Sequence, residues 1–316
     1  MRVFVTGATG FVSGAVVRRL RSRGDTVVAL VRSRSRAAAL DALGCSLVEG
    51  DVAAVDAEAM RGCDAVIHAA AIYEIGVSRE RARTMEATNV DGTRRVLRAA
   101  RDAAVPRVVY VSTIAAFGNT RGKVVAEGFV PTEPPTSVYE DTKRRAHAIA
   151  AEAAAAGLPA IIVQPGQVYG PGDHSEIGAN LRRLADGRLL FRALARVGLS
   201  FVHVDDVADG IVRALDRGEI GESYVLGGEI ATLDDAYAAV AAVTGRRVPA
   251  LVMPTALLRV TAALAPSLRE VVRSADGVTF WATDAKARAT LGTRPRTLRD
   301  GMRDTYARTT SSLSKA

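Results

Sequence analysis

The chain has 316 residues, 48% hydrophobic and 24% charged, and its 42 Lys and Arg against 34 Asp and Glu give a formal charge of +8. That length can bury a substantial core, and the composition is that of an ordinary globular protein, which excludes a disordered or fibrous chain. Aromatics are 5% and do not alternate with the arginine runs, so no nucleic-acid surface is expected; two cysteines, Cys45 and Cys63, exclude a disulfide scaffold, offer no metal site, and fit a reducing cytoplasm.

In chain order, residues 3–6 read as a strand with no signal-peptide pattern before it, so no export is expected. A helix follows from about Phe11, with Val12, Val16 and Leu20 on one face and Gly24 at its end. Strands are expected at 26–31, 46–49 and 65–69, with a short helix over 37–43. Residues 84–103 have helical periodicity that Pro106 stops, and the apolar run 108–112 is typical of a central parallel strand. Beyond Pro131, Pro134 and Pro135 lies an alanine-rich helix over 138–156, ended by Gly157 and Pro159, and then a strand at 161–163. From Gly166 the rhythm breaks into short strands at 199–203 and 224–226.

This alternation predicts an α/β fold, a Rossmann-type doubly wound parallel sheet over residues 1–165. A smaller α/β substrate-binding part follows over 166–316, with residues of about 200–228 returning to the first. The apolar stretch 251–265 contains Pro254 and Arg259 and is too short to span a membrane, so it reads as a helix of the core or of a substrate pocket. The polar residues 309–316 read as a frayed tail.

Between the first strand and the first helix stands Thr6-Gly7-Ala8-Thr9-Gly10-Phe11-Val12. Glycines here let backbone N–H groups and the positive helix end approach a pyrophosphate, although a bare Gly-x-x-Gly also serves as a tight turn without a ligand. The third glycine of the pattern is replaced by Ser13. Cofactor choice is read at the end of the second strand, where Val31-Arg32-Ser33-Arg34 has no carboxylate. Arg32 therefore points to NADP, with NAD the alternative, because a guanidinium suits a 2′-phosphate; the plainer reading is an exposed arginine cluster. Asp51 either reaches the adenine or caps the following turn.

Tyr139 and Lys143 are four residues apart on one helix face, so the ammonium is expected below the phenol, where it would ease proton exchange near neutral pH. Val109-Tyr110-Val111-Ser112-Thr113 brings a hydroxyl to the same sheet edge. With these, His68-Ala69-Ala70-Ala71, Asn89-Val90-Asp91-Gly92-Thr93, Gln164 to Gly172 and Phe201 to Val207 follow in order. In this ordered set the chain resembles the extended short-chain dehydrogenases/reductases, the NAD-dependent epimerase/dehydratase superfamily, over residues 1 to about 230.

The resemblance implies a hydroxyl at Thr113, an acid/base at Tyr139, and Lys143 on the nicotinamide ribose. It implies cofactor contacts from Gly7, Thr9, Gly10, Phe11, Val12, Arg32, Asp51, Val52, Ala69, Ala70, Ala71, Asn89, Pro165, Gly166 and Val168. Ser112, His68 and His203 are read as structural. Within the family, Ile114-Ala115-Ala116 after Thr113 disfavours a 4,6-dehydratase, and Val31-Arg32 looks more like dihydroflavonol-4-reductase relatives, which reduce a ketone or aldehyde. Tyr73, Phe117 and Gln167 are the candidate substrate residues; Tyr73, Ile75, Phe117 and Leu181 suggest an apolar substrate or are simply core. The rivals are a sugar-nucleotide epimerase that retains NAD, with Arg182, Arg183 and Arg188 on a diphosphate, and a dinucleotide-sensing regulator without turnover. The resemblance implies that the helices from Thr84 and Val138 could form a two-helix dimer face as in relatives; the oligomeric state is open between monomer and homodimer.

Overall fold

A computed structural model of the chain describes residues 1–307; the tail at 309–316 lies outside the described residues. The chain runs β1 (Arg2–Thr6), α1 (Phe11–Ser22), β2 (Thr26–Val31), α2 (Ala38–Ala42), β3 (Ser46–Glu49), β4 (Ala65–His68), α3 (Arg79–Glu86), α4 (Gly92–Asp102), β5 (Val108–Val111), α5 (Val138–Ala155) and β6 (Ala160–Pro165). It continues through β7 (Gln167–Tyr169), α6 (Glu176–Ala185), β8 (Gly198–His203), α7 (Val204–Arg217), β9 (Ser223–Leu226), β10 (Glu229–Thr232) and α8 (Leu233–Thr244). The last elements are α9 (Thr255–Leu264), α10 (Pro266–Ala275), β11 (Thr279–Phe280), α11 (Ala285–Leu291) and α12 (Leu298–Tyr306).

Seven strands form one sheet in the order β3-β2-β1-β4-β5-β6-β9, every pair parallel. Strand periodicity of two sorts β1 into two layers. Val3 and Val5 pack with Val16 and Leu20 of α1 and Ile211 and Leu215 of α7. Phe4 faces the other way, with Val96 of α4, Tyr110 of β5 and Ala146 and Ala150 of α5. The sheet is thus covered on both faces, the doubly wound α/β arrangement the alternation predicts. Chain direction across the sheet reverses between β1 and β4, so the crevice at their carboxyl ends is the topological switch point.

A second, smaller sheet is centred on β8, which pairs antiparallel with β10 and parallel with β7 and β11. Helices α6, α8 and α12 cover it around Tyr169, Leu184, Phe201, Tyr237 and Met302. Between these two units α7 and β9 pack with the first sheet, while β8 belongs to the second.

Two segments differ from the sequence expectation. The helix expected from residue 84 starts at Arg79, because the Ser78 hydroxyl accepts the Arg81 N–H as its cap; it then passes through a π-turn over Ala87–Asp91 into α4. The stretch 251–265 is not core. Its helix α9 leaves Leu257 and Val260 exposed, and among its described side chains Ala262 alone is deeply buried. Among the described residues no helix is long and apolar enough to cross a membrane.

The two sheets approach closely at Gly166, whose N–H donates to the Leu226 carbonyl at 3.0 Å. A Cβ there would run into the backbone carbonyl of Ser200 in β8, which cannot swing away as a side chain can. Gly166→Ala should cost about 1–3 kcal/mol of stability, read as a lowered urea midpoint; an unchanged midpoint would show that β8 yields freely.

Candidate active site

β1 delivers Thr6 to the switch point, and the chain turns at Gly7, whose φ of +69° favours glycine. A Cβ at Gly7 would stand 2.7 Å from the Ala70 Cα and 2.9 Å from its nitrogen, so the turn and the segment after β4 are pressed together. The Gly10 N–H closes the turn on the Gly7 carbonyl at 2.8 Å. Ser13, at the third glycine's position, is buried and donates its hydroxyl to that same carbonyl, so the substitution tightens the turn. No side chain caps α1 and no acidic residue lies in its first turn. Its positive end is therefore left for an anion, and this cradle fits a dinucleotide pyrophosphate.

Arg32, just past β2, is exposed and forms no ion pair among the described residues, whereas Arg34 is held on β3 by the Leu47 carbonyl and Glu49. The Asp51 carboxylate accepts the Ala53 N–H at 2.9 Å, the turn-capping alternative of its two readings. Val52 is buried in the core, against Gly92. Ala69, Ala70 and Ala71 follow β4, with the Ala70 N–H donating to Thr6 Oγ1 at 3.2 Å. Asn89 is buried in the π-turn. Its amide accepts the Ile72 N–H at 2.8 Å and donates to the Ile72 carbonyl and Thr142 Oγ1, so its polar atoms hold the loop after β4 against α5.

Thr113 leaves β5 as the cap of a short 3₁₀ turn, its Oγ1 accepting the Ala115 N–H at 3.2 Å. Tyr139, in the first turn of α5, lies edge-on to Tyr73 with ring centroids 4.7 Å apart. Burial pushes the Tyr139 phenol well above its usual range and Tyr73 adds to this, while a hydrogen bond from Thr113 pulls the other way. Lys143, one turn after Tyr139 on α5, is buried and finds its hydrogen-bond acceptors on β5. It donates to the Tyr110 hydroxyl at 3.2 Å and the Val111 carbonyl at 3.0 Å, because a buried ammonium must take the acceptors β5 offers. Burial lowers its pKa to about 7.

His68 is buried between Thr6 Oγ1 at 2.7 Å and Thr93 Oγ1 at 3.0 Å, and burial, with Lys143 nearby, drops its pKa to about 3. It is a neutral structural group. His203 caps α7 through the Asp205 N–H, and the Ser112 hydroxyl meets His147 Nδ1 at 3.0 Å. Asp206 pairs with Arg296.

Of the substrate candidates, Tyr73 is half-exposed beside Tyr139, and Gln167 starts β7, its amide within 3.4 Å of the Val168 carbonyl. Phe117 and Leu181 are core. Phe117 packs with Ile114, Val125 and Val225, and Leu181 lies in the core of the second unit. Arg182, one arginine of the diphosphate reading, is exposed and donates from its guanidinium to the Asp173 carbonyl at 2.5 Å. Pro165 ends β6, and Val168 packs against the first core layer.

Sequence reasoning missed three groups here. Tyr110 seats Lys143. Glu140, buried in α5, holds Arg144 and accepts the Thr136 N–H at 3.0 Å, fixing the loop before Tyr139. Glu270 of α10 bridges the Gly76 N–H at 3.0 Å and the Val138 N–H at 2.7 Å, tying the helical pair α9–α10 across the residue next to Tyr139. Only Tyr110 left a signal, since it shares a strand face with Ser112.

Residues 3–227 match the NAD dependent epimerase/dehydratase family, and the chain belongs to it, as an extended short-chain dehydrogenase/reductase. It is 34% identical to a "Putative dihydroflavonol 4-reductase" of Synechocystis sp., over 79% of this chain and 75% of that one. It is 33% identical to the "4-hydroxy-2-methyl-3-oxo-4-farnesyl-3,4-dihydroquinoline-1-oxide ketoreductase" of Stigmatella aurantiaca, over 72% of this chain and 68% of that one. Among solved structures, a double mutant of DesIV, a dTDP-glucose 4,6-dehydratase of Streptomyces venezuelae with NAD bound, superposes with a TM-score of 0.79 at 27% identity, covering 97% and 96% of the two chains. Enzymes of this family act with NAD(P) on CH–OH and C=O groups.

The depressed Lys143 has a consequence for stability. A lysine near 10.5 in the unfolded chain and about 7 in the folded one leaves the unfolded state binding more protons between those values, so this group's contribution to stability rises with pH across that window. The difference in unfolding free energy between the wild type and Lys143→Met should therefore move in favour of the wild type from pH 7 to pH 10 in denaturant titrations. A difference that is constant or falls would contradict the buried, depressed ammonium.

Proposed function

We propose that this enzyme is an NADP(H)-dependent oxidoreductase that reduces a ketone or aldehyde, or oxidises the corresponding alcohol, with Tyr139 as the acid/base. The supporting observation is the Tyr139 phenol, raised by burial and flanked by the Thr113 hydroxyl at the carboxyl edge of the sheet. The phenol is protonated at neutral pH and is the group that gives a proton to a carbonyl oxygen. Thr113 accepts the Ala115 N–H with one of its two lone pairs and keeps its single proton and its other lone pair for the phenol and the substrate oxygen.

The turn from Gly7 to Val12 would hold the pyrophosphate, Arg32 the 2′-phosphate, and Lys143 the nicotinamide ribose. A reduced nicotinamide, when bound, supplies hydride to the carbonyl carbon. The preference for NADP rests on Arg32, which is exposed, without an ion pair among the described residues, and follows a strand end that carries no carboxylate. The half-exposed Tyr73 is the aromatic wall for the substrate, and the ketoreductase relative is in keeping with a partly apolar one. Glu270 keeps the loop after β4 and the start of α5 in register around this cleft.

Two measurements test the reading. Tyr139→Phe should retain cofactor affinity in a thermal-shift titration while turnover on ketone or aldehyde substrates falls by roughly 100-fold or more; unchanged turnover removes Tyr139 from the chemistry. Arg32→Asp should weaken NADP by roughly tenfold or more, the order of one charge-assisted hydrogen bond, and leave NAD nearly untouched. Equal losses for both would reduce Arg32 to a surface charge, and firmer stabilisation of the wild type by NAD would favour the epimerase alternative.

A further inference from the structure

Six of the eleven exposed large apolar side chains among the described residues lie on two neighbouring segments. Leu190 and Phe191 follow α6, and Leu251, Val252, Leu257 and Val260 lie in and before α9; all six are exposed, Val260 by 63% and Leu190 by 79%. The two segments are neighbours. The Arg192 N–H donates to the Leu251 carbonyl at 3.0 Å and the Met253 N–H to the Arg192 carbonyl at 2.8 Å, and farther along Arg246 lies against Gly187. An apolar patch of this kind on a water-facing surface is the mark of an interaction site rather than of folding.

Charge decides among occupants. Residues 187–199 and 245–269 contain no aspartate or glutamate and carry seven arginines. Arg192 and Arg259 are ion-paired, with Asp234 and Asp276. Arg188, Arg196, Arg246, Arg247 and Arg269 are exposed and form no ion pair among the described residues. A second copy of the chain would set these arginines against like charge if the same face were used twice, and a soluble apolar ligand has no need of them. Apolar side chains among unpaired arginines suit a surface whose headgroups are anionic and whose interior is hydrocarbon.

We propose that this face, built from the segment after α6 and from α9 with the strand-like residues before it, docks on an anionic lipid bilayer, inserting its leucines, valines and phenylalanine at the headgroup boundary. The attachment is peripheral, since no described helix can span. Because α9 packs on α10, and Glu270 of α10 bonds to Gly76 and Val138, docking would bring the active-site side of the molecule to the bilayer. The inference stands apart from the proposed reaction, since none of the docking residues is assigned to it.

The test is co-sedimentation of the full chain with vesicles of phosphatidylcholine alone and of phosphatidylcholine mixed with phosphatidylglycerol, whose negative surface potential attracts basic segments. Binding to the anionic vesicles only, weakened by high salt, is expected. Leu257→Asp with Val260→Asp should weaken it at least tenfold, and so should Arg246→Gln with Arg247→Gln, with melting temperature and NADP binding kept by each double variant. Absence of binding to the anionic vesicles overturns the proposal. So does binding that the aspartate variant leaves intact, which would be charge attraction alone, and so does self-association through this face without vesicle binding. Should the aspartate pair fail to fold, Leu251→Ser, outside any helix, carries the same expectation.

Discussion

A buried ammonium must find acceptors, and much of the site is organised by how Lys143 finds them. Its Nζ donates to the Tyr110 hydroxyl and the Val111 carbonyl. Tyr110 in turn meets Thr93, and Thr93 donates its only proton to the Asn89 carbonyl at 2.6 Å. Thr93 Oγ1 is therefore an acceptor toward His68 Nε2, which fixes the His68 tautomer: Nε2 carries the proton and Nδ1 accepts from Thr6. A charged His68 would have two donors and would break this order, and burial keeps it neutral. One chain of hydrogen bonds thus links β1, β4, α4, β5 and α5, from the residue before Gly7 to Lys143. Replacing any member strands a buried polar atom on its neighbour.

The same network explains what was legible in the sequence. Hydrophobic periodicity and glycine placement carried the doubly wound sheet, because each strand between two helical layers must be apolar on both faces. The Gly7 turn, Tyr139 and Lys143 were legible through spacing and resemblance. The direction of the Lys143 ammonium was not, because Tyr110 lies inside an apolar run and only its alternation with Val109 and Val111 turns it toward α5. Phe117 and Leu181 illustrate a second limit, since an apolar side chain reads the same whether it lines a pocket or fills a core. Glu270 is 132 residues from Val138, a separation at which no local pattern speaks. Residues 251–265 show the same limit from the other side: of the core and pocket alternatives the core one fails, because α9 leaves Leu257 and Val260 exposed.

The opposed environments of Tyr139 and Lys143 bear on the direction of the proposed chemistry. Burial raises the phenol and lowers the ammonium, so each is pushed toward its neutral form. A protonated phenol is the form that gives a proton to a carbonyl oxygen. The reverse reaction requires phenolate, and the cation that would stabilise phenolate is turned toward Tyr110 in this arrangement. Under the proposed function the protonated phenol suits the reducing direction. The Tyr110 hydroxyl, by accepting from Lys143, ties the ammonium of α5 to β5.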